Sequence, residues 1–147
     1  MDMYSIDAMY LMSCTALVES KLTHLKQLPD GPALGFMQVE PDTYFDVIRY
    51  LNIRDDIGSK VLGYCNYTDY PLTTNVMIHN LAYNAMIARV KYWMQPQPIP
   101  SYKDSVNQAE YYELYFNGNP EVNKVDEFVR HSKNVSEWIV KEDSAHD

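Results

Sequence analysis

The sequence predicts a mainly α single domain, with about six helices arranged around one long buried helix. Apolar residues recur at helical spacing through most of the chain, no convincing strand alternation occurs, and Pro- and Gly-containing breakers separate the periodic stretches. The length of 147 residues corresponds to about one domain. At 46% hydrophobic and 22% charged, the chain is globular rather than disordered. The whole of 1–147 is expected to form that domain, with residues from about 142 to 147 a frayed polar tail.

The first helix is expected from Ser5 to about Ser20, with Ser5 as N-cap and Ile6, Tyr10, Cys14, Leu17 and Val18 near one stripe. Lys21–Gly35 follows as a polar loop containing Pro29-Asp30-Gly31-Pro32, and a loop of that length is usually functional or disordered. A second helix begins at Pro41-Asp42-Thr43, with Tyr44, Val47, Ile48 and Leu51 on one face. A third covers about Asp56–Cys65. The fourth, roughly Thr73–Met94, is the buried one, apolar around most of its circumference. Pro96, Pro98 and Pro100 then read as an extended connector. A fifth helix spans about Asp104–Phe116 and ends in aromatic residues. Asn117-Gly118-Asn119-Pro120 breaks it before a last helix, roughly Val122–Val140.

Several classes of function are excluded. Twelve basic against 20 acidic residues leave a net charge of −8, which disfavours nucleic acid and anionic lipid as partners. No apolar run approaches the about 20 residues of a membrane span, so no membrane insertion is expected. The opening MDMYSIDAMYLMSC has no basic region, so no secretory signal peptide is expected. Two cysteines, Cys14 and Cys65, cannot build a disulfide framework or a cysteine-based zinc site. The four His lack metal-ligand spacing and no Gly-rich phosphate loop is present, so neither metal nor cofactor is expected. The 13 Tyr fit rings buried with hydroxyls at water, or in part the lining of a polar cleft for a sugar or peptide.

Glu19 is the chemically pointed residue. It ends an apolar helix, where the dipole is negative, and both that dipole and an apolar wall disfavour its charged form. A carboxyl held that way suits a general acid near neutral pH. Glu19-Ser20 is followed by Gly35-Phe36-Met37-Gln38-Val39-Glu40-Pro41-Asp42-Thr43 and, further on, by Ala82-Tyr83-Asn84-Ala85. These pieces, in this order, resemble the soluble lytic transglycosylases: a Glu-Ser pair ending a helix, a Gly-Leu-Met-Gln run with a following Pro and Thr, and an Ala-Tyr-Asn motif. The likeness is nearer still to a branch of small bacteriophage proteins related to those enzymes. It takes in Thr15-Ala16, Gln27-Leu28, Gly31-Pro32-Ala33-Leu34, Tyr92-Trp93, Tyr115-Phe116-Asn117-Gly118 and Glu127-Phe128-Val129, and so spans most of the chain. Phe36 stands where the family carries Leu, Tyr44 where phage members often carry His, and the Gly-Pro-Gly run after Tyr-Asn is absent.

The resemblance implies a lysozyme-like domain that cleaves the β-1,4 bond between N-acetylmuramic acid and N-acetylglucosamine in a peptidoglycan glycan strand. Glu19 would be the single acid and base. Ser20, Gly35, Met37, Gln38, Tyr83 and Asn84 would bind substrate or orient Glu19, although Tyr83 reads equally well as a core tyrosine. Hydrolysis usually needs a second carboxylate, for which Glu40, Asp42 and Asp46 are candidates, Glu40 falling inside the matched string. The implied setting is a phage virion, tail or internal, acting on the host periplasm or cell wall beside other virion proteins. A chain at −8 would be repelled by a polyanionic wall, which favours an enzyme held in an assembly over a freely diffusing endolysin. The alternative is a non-catalytic virion protein that reuses the fold, with the aromatic run Tyr111–Phe116 as a contact surface.

Overall fold

The computed structural model describes residues 3–119 and 121–145, the side chains of 140–145 excepted. Its elements are α1 (Ile6–Ser20), α2 (Pro41–Ile53), α3 (Asp55–Tyr64), α4 (Val76–His79), α5 (Leu81–Trp93), α6 (Ser105–Tyr115) and α7 (Val125–Ala145). The protein is mainly α: no strand forms among the described residues, and only two isolated β-bridges occur. None of the described helices is long and apolar enough to cross a membrane. The chain divides into two compact units, Met1–Val18 with Gln95–Asp147, and Glu19–Met94.

In the first unit, Ser5 caps α1 as its sequence position predicts, its Oγ accepting the Ala8 N–H at 3.0 Å. Tyr10 is buried, and its hydroxyl lies 3.1 Å from both the Ser132 carbonyl and Ser136 Oγ of α7. Fully buried Gln108 of α6 donates through Nε2 to the carbonyls of Asp7 (3.1 Å) and Pro100 (2.7 Å), which fastens the proline connector. Asp104 caps α6 by accepting the Asn107 N–H at 3.1 Å. Helices α6 and α7 pack together, with Tyr112 stacked on Phe128 at 5.5 Å between centroids. Tyr111, Tyr112 and Phe116 are therefore core, which corrects the expected aromatic contact surface. Along that run, Leu114 is the large apolar side chain left exposed. Helix α7 starts later than expected, because Asn123 Oδ1 accepts the Val125 N–H in a local turn. It also continues past the expected Val140 to Ala145, while residues 146 and 147 lie outside the described residues, as does Pro120 of the predicted breaker.

In the second unit, α2 packs on α3 and α5, and both α3 and α4 pack on α5. Tyr44, Val47 and Leu51 form the buried stripe of α2, with Pro41 at its start. Gly58 lets α3 approach closely, since a Cβ there would lie 2.8 Å from the Leu51 carbonyl oxygen.

The expected long fourth helix is instead two helices, α4 and α5. Asn80 breaks it with an extended backbone (φ −118°, ψ 98°), and its Oδ1 accepts the Tyr83 N–H as the N-cap of α5. An Asn side chain competes for backbone groups in this way, and propensity counted over a window does not register it. Upstream, Thr73 Oγ1 takes the Asn75 N–H and keeps the first expected turns out of the helix. Nor is α5 apolar-enclosed all round, for Leu81 and Ala82 at its start are exposed.

Candidate functional site

The second unit contains every candidate catalytic and substrate-binding residue, Glu19, Ser20, Gly35, Met37, Gln38, Glu40, Tyr83 and Asn84. Helix α1 ends at Ser20, and Lys21 and Leu22 then take positive φ (53° and 57°), turning the chain away. Buried Ser20 holds this turn: its Oγ accepts the Leu22 N–H at 3.1 Å, and its carbonyl accepts the Thr23 N–H at 2.9 Å. The loop that follows is not free of structure. Gln27 N–H meets the Ala33 carbonyl at 3.0 Å and Gly35 N–H meets the Leu25 carbonyl at 2.9 Å. Leu34 and Val39 exchange both backbone hydrogen bonds, at 2.9 and 3.0 Å. That exchange is a single antiparallel bridge that closes a four-residue turn over Gly35-Phe36-Met37-Gln38, the segment that carries the resemblance.

The turn needs both of its ends. Gly35 has φ +75° and Gln38 φ +48°, and the Gln38 N–H donates to the Gly35 carbonyl at 3.0 Å. Gln38 Nε2 donates to the same oxygen at 2.9 Å. Two donors on one carbonyl offset the cost of a non-glycine residue in the left-handed region.

Asn84 fixes this turn from α5. Its Oδ1 accepts the Met37 N–H at 2.9 Å and its Nδ2 donates to the Leu34 carbonyl at 3.2 Å. One acceptor and one donor are each matched, so the amide has a single orientation. A Cβ on Gly35 would lie 2.3 Å from Asn84 Cγ, which explains glycine there independently of its φ. Met37 and Asn84 are fully buried, and Gly35 is buried with them. Of the four turn residues, Phe36 and Gln38 keep partial exposure.

Tyr83, one residue earlier, turns elsewhere. Its hydroxyl lies 3.1 Å from that of Tyr44, whose own proton goes to the Pro71 carbonyl at 2.7 Å. Tyr44 has one proton to give, so Tyr83 is the donor of the pair. The Tyr67 ring meets Tyr83 edge-on at 5.2 Å. Tyr83 is completely buried, and burial pushes its phenol well above the ordinary tyrosine range. Of the two readings the sequence left open for Tyr83, its surroundings are those of a core tyrosine.

The charged part of the site lies at the other end of α5. Half-buried Glu19 sits in the last turn of α1, which has no basic residue of its own. Glu40 is exposed at the N-cap of α2. Both carboxylates act on Lys91, in the last turn of α5. Desolvation holds the Lys91 ammonium below the ordinary lysine range, while Glu19 and Glu40 oppose that fall. Of the other carboxylates considered, Asp46 is paired with Arg49 on the surface of α2, and Asp42 lies in the first turn of α2. Glu19 and Glu40 are thus the two carboxylates whose charge favours the Lys91 ammonium.

Sequence reading missed Lys91. The available signal was its place between Val90 and Tyr92 near the end of an apolar helix, but a basic residue in a last turn reads first as a partner of the helix dipole. Cys14 and Cys65 are buried free thiols pushed up by burial, Cys14 to about 12, which makes them poor nucleophiles. Among the described residues, no group of three or more His, Cys, Asp or Glu is placed to hold a metal ion. No protein-family model, curated protein or solved structure matches this chain.

Proposed function

We propose that the protein is a lytic transglycosylase of a phage virion, cleaving the N-acetylmuramic acid–N-acetylglucosamine β-1,4 bond of peptidoglycan with Glu19 as acid and base. The supporting observation is the pair of hydrogen bonds from Asn84 to Met37 and Leu34, which unite two segments of the resemblance 47 and 50 residues apart. Glu19, the third segment, is linked to the same helix through the field at Lys91. Gly35, Met37 and Asn84 position the turn from within, Gln38 and Phe36 are its surfaces open to a sugar, and Ser20 holds the separate turn that follows Glu19.

In the reaction, the protonated Glu19 carboxyl gives its proton to the glycosidic oxygen as the C1–O bond breaks. The carboxylate so formed takes the proton of the muramic 6-hydroxyl as that oxygen bonds to C1. A 1,6-anhydro ring closes, the N-acetylglucosamine 4-hydroxyl leaves, and Glu19 regains its proton with no water consumed. One half-buried carboxyl suffices for both transfers. Hydrolysis is the second reading, favoured by Glu40 sharing Lys91 with Glu19; there Glu40 would activate a water.

Peptidoglycan sacculi incubated with the protein, assembled in its particle as well as purified, separate these readings by mass spectrometry. Anhydro-muropeptides are expected from the parent and not from Glu19→Gln. Reducing-end products lost in Glu40→Gln would replace lyase by hydrolase. Intact sacculi in every case would leave the non-catalytic virion protein.

A further inference from the structure

The segment between Glu19 and the Gly35-Phe36-Met37-Gln38 turn is held at both ends and carries one open backbone edge. At its start, Ser20 fixes Lys21 and Leu22 in the left-handed region. Further on, Lys26 pairs with Leu34 in an antiparallel bridge. The bonds of that bridge lie on the flanking residues, Gln27 N–H to the Ala33 carbonyl at 3.0 Å and Gly35 N–H to the Leu25 carbonyl at 2.9 Å. In such a pair the N–H and C=O of the bridged residue itself point away from its partner. Lys26 is exposed, and neither of these two groups has a partner among the described residues. The open edge is one residue long. The His24 N–H goes to the Ser20 carbonyl at 3.3 Å, and past Lys26 the chain turns back as the Gly31 N–H meets the Gln27 carbonyl at 3.3 Å.

The same segment is the basic part of an acidic chain. Residues 20–29 include Lys21, His24 and Lys26 and no acid, although the whole chain stands at −8. Both lysines are exposed, and neither forms an ion pair with a described residue. Leu22, Leu25 and Leu28 are exposed among them. A ligand matched to this surface carries carboxylates, small apolar groups and at least one peptide unit.

We propose that residues 21–28 form a subsite for the peptide stem of the glycan strand, the short carboxylate-bearing peptide attached to the lactyl group of the muramic acid. The proposal rests on the transglycosylase reading. The N–H and C=O of Lys26 pair with one peptide unit of the stem, in the manner of an added strand. The Lys21 and Lys26 ammonium groups meet stem carboxylates, and the leucines cover alanine methyl groups. A protein strand fits this edge less well. An added strand bonds at every second residue, but the His24 N–H is already taken and Leu28 lies in the turn. A stem with D-residues and a γ-linkage has no such repeat and needs only one pair. Because the segment is already fixed at both ends, binding costs little further ordering.

The test uses full-length Glu19→Gln, which holds glycan without cleaving it, and soluble glycan tetrasaccharides with their stems or stripped of them by an amidase. Amide NMR titration reads the affinities. Stem-bearing fragments should bind more tightly by about ten-fold, the size of one charge-assisted hydrogen bond. They should also slow hydrogen exchange at the Lys26 amide. Lys21→Glu with Lys26→Glu should bring stem-bearing fragments down to the affinity of bare ones, and Lys21→Arg with Lys26→Arg should keep the preference. Equal binding of both fragments, binding of neither, unchanged exchange at Lys26, or a preference that survives charge reversal overturns the proposal. So does equal affinity for an acidic L-peptide of the same length and charge, which would mark an edge for a protein segment instead. Should the charge-reversed variant not fold, the fragment preference and the Lys26 exchange decide alone. Sacculus cleavage by the parent keeps the two readings apart. Cleavage without stem preference removes the subsite and leaves the transglycosylase, whereas stem preference in a protein that cleaves nothing removes the enzymatic reading and leaves the subsite.

Discussion

The two ends of α5 hold the same site by different physics. At the N-terminal end, Asn80, Tyr83 and Asn84 are neutral, and each makes hydrogen bonds of definite direction, to Tyr67 and the Tyr83 N–H, to Tyr44, and to the Gly35–Gln38 turn. At the C-terminal end, Lys91 is charged, half-buried and coupled to two carboxylates. Neutral bonds fix geometry and are indifferent to pH in the physiological range. Charges fix proton affinity and tolerate some movement. A chain could therefore keep the first end and the fold while losing the second end and the chemistry, which is the practical difference between the enzyme and its non-catalytic alternative.

The comparison breaks first at Asn84. Asn84→Leu strands the buried Met37 N–H and removes one of the two donors to the Leu34 carbonyl, which keeps the Val39 N–H. The stranded donor and the lost second bond predict destabilisation of about 3 kcal/mol, checked by urea unfolding. Gly35→Ala attacks the same contact from the other side, by strain at φ +75° and collision with the Asn84 amide. It should cost about 2 kcal/mol, and combining it with Asn84→Leu should cost less than the sum, because both break one contact.

Tyr83→Phe should be milder, about 1 kcal/mol, since it removes one donor and leaves the Tyr44 hydroxyl still bonded to Pro71. If Tyr83 is core and not a sugar ligand, cleavage by the folded variant should match the parent; a large rise in KM without loss of stability would return Tyr83 to the cleft.

The smallest effect lies at the charged end. The folded state holds Lys91 below its ordinary value of 10.5, so over the range just below that value the unfolded chain binds more protons than the folded one. Stability of the parent should therefore gain with rising pH through that range, relative to Lys91→Met. Unfolding curves of the two proteins at neutral and alkaline pH check this, and parallel pH profiles would mean that Lys91 is not desolvated.

Much of this was legible in the sequence. The N-cap at Ser5, Pro41 at the start of α2 and the cap at Asp104 follow local rules that tertiary packing does not overturn. The break at Asn80 was not legible, because the side chain that causes it is an ordinary residue in an apolar stretch whose period continues through it. Tyr111 and Tyr112 misled in the opposite way, since an aromatic run gives no sign of whether it faces solvent until α7 is seen to cover it. In the site, the turn at Gly35–Gln38 could be placed by motif alone, but Asn84 as its anchor and Lys91 as its cation required the pairing of segments far apart in the chain.

The central claim is that Glu19 moves the proton in glycan cleavage. Mass spectrometry of sacculus digests, parent beside Glu19→Gln and each shown to be folded, tests it most directly. The account predicts anhydro-muropeptides from the parent and intact sacculi from the variant. Equal cleavage by both, or none by the parent over the full pH range in its assembled particle, would contradict it.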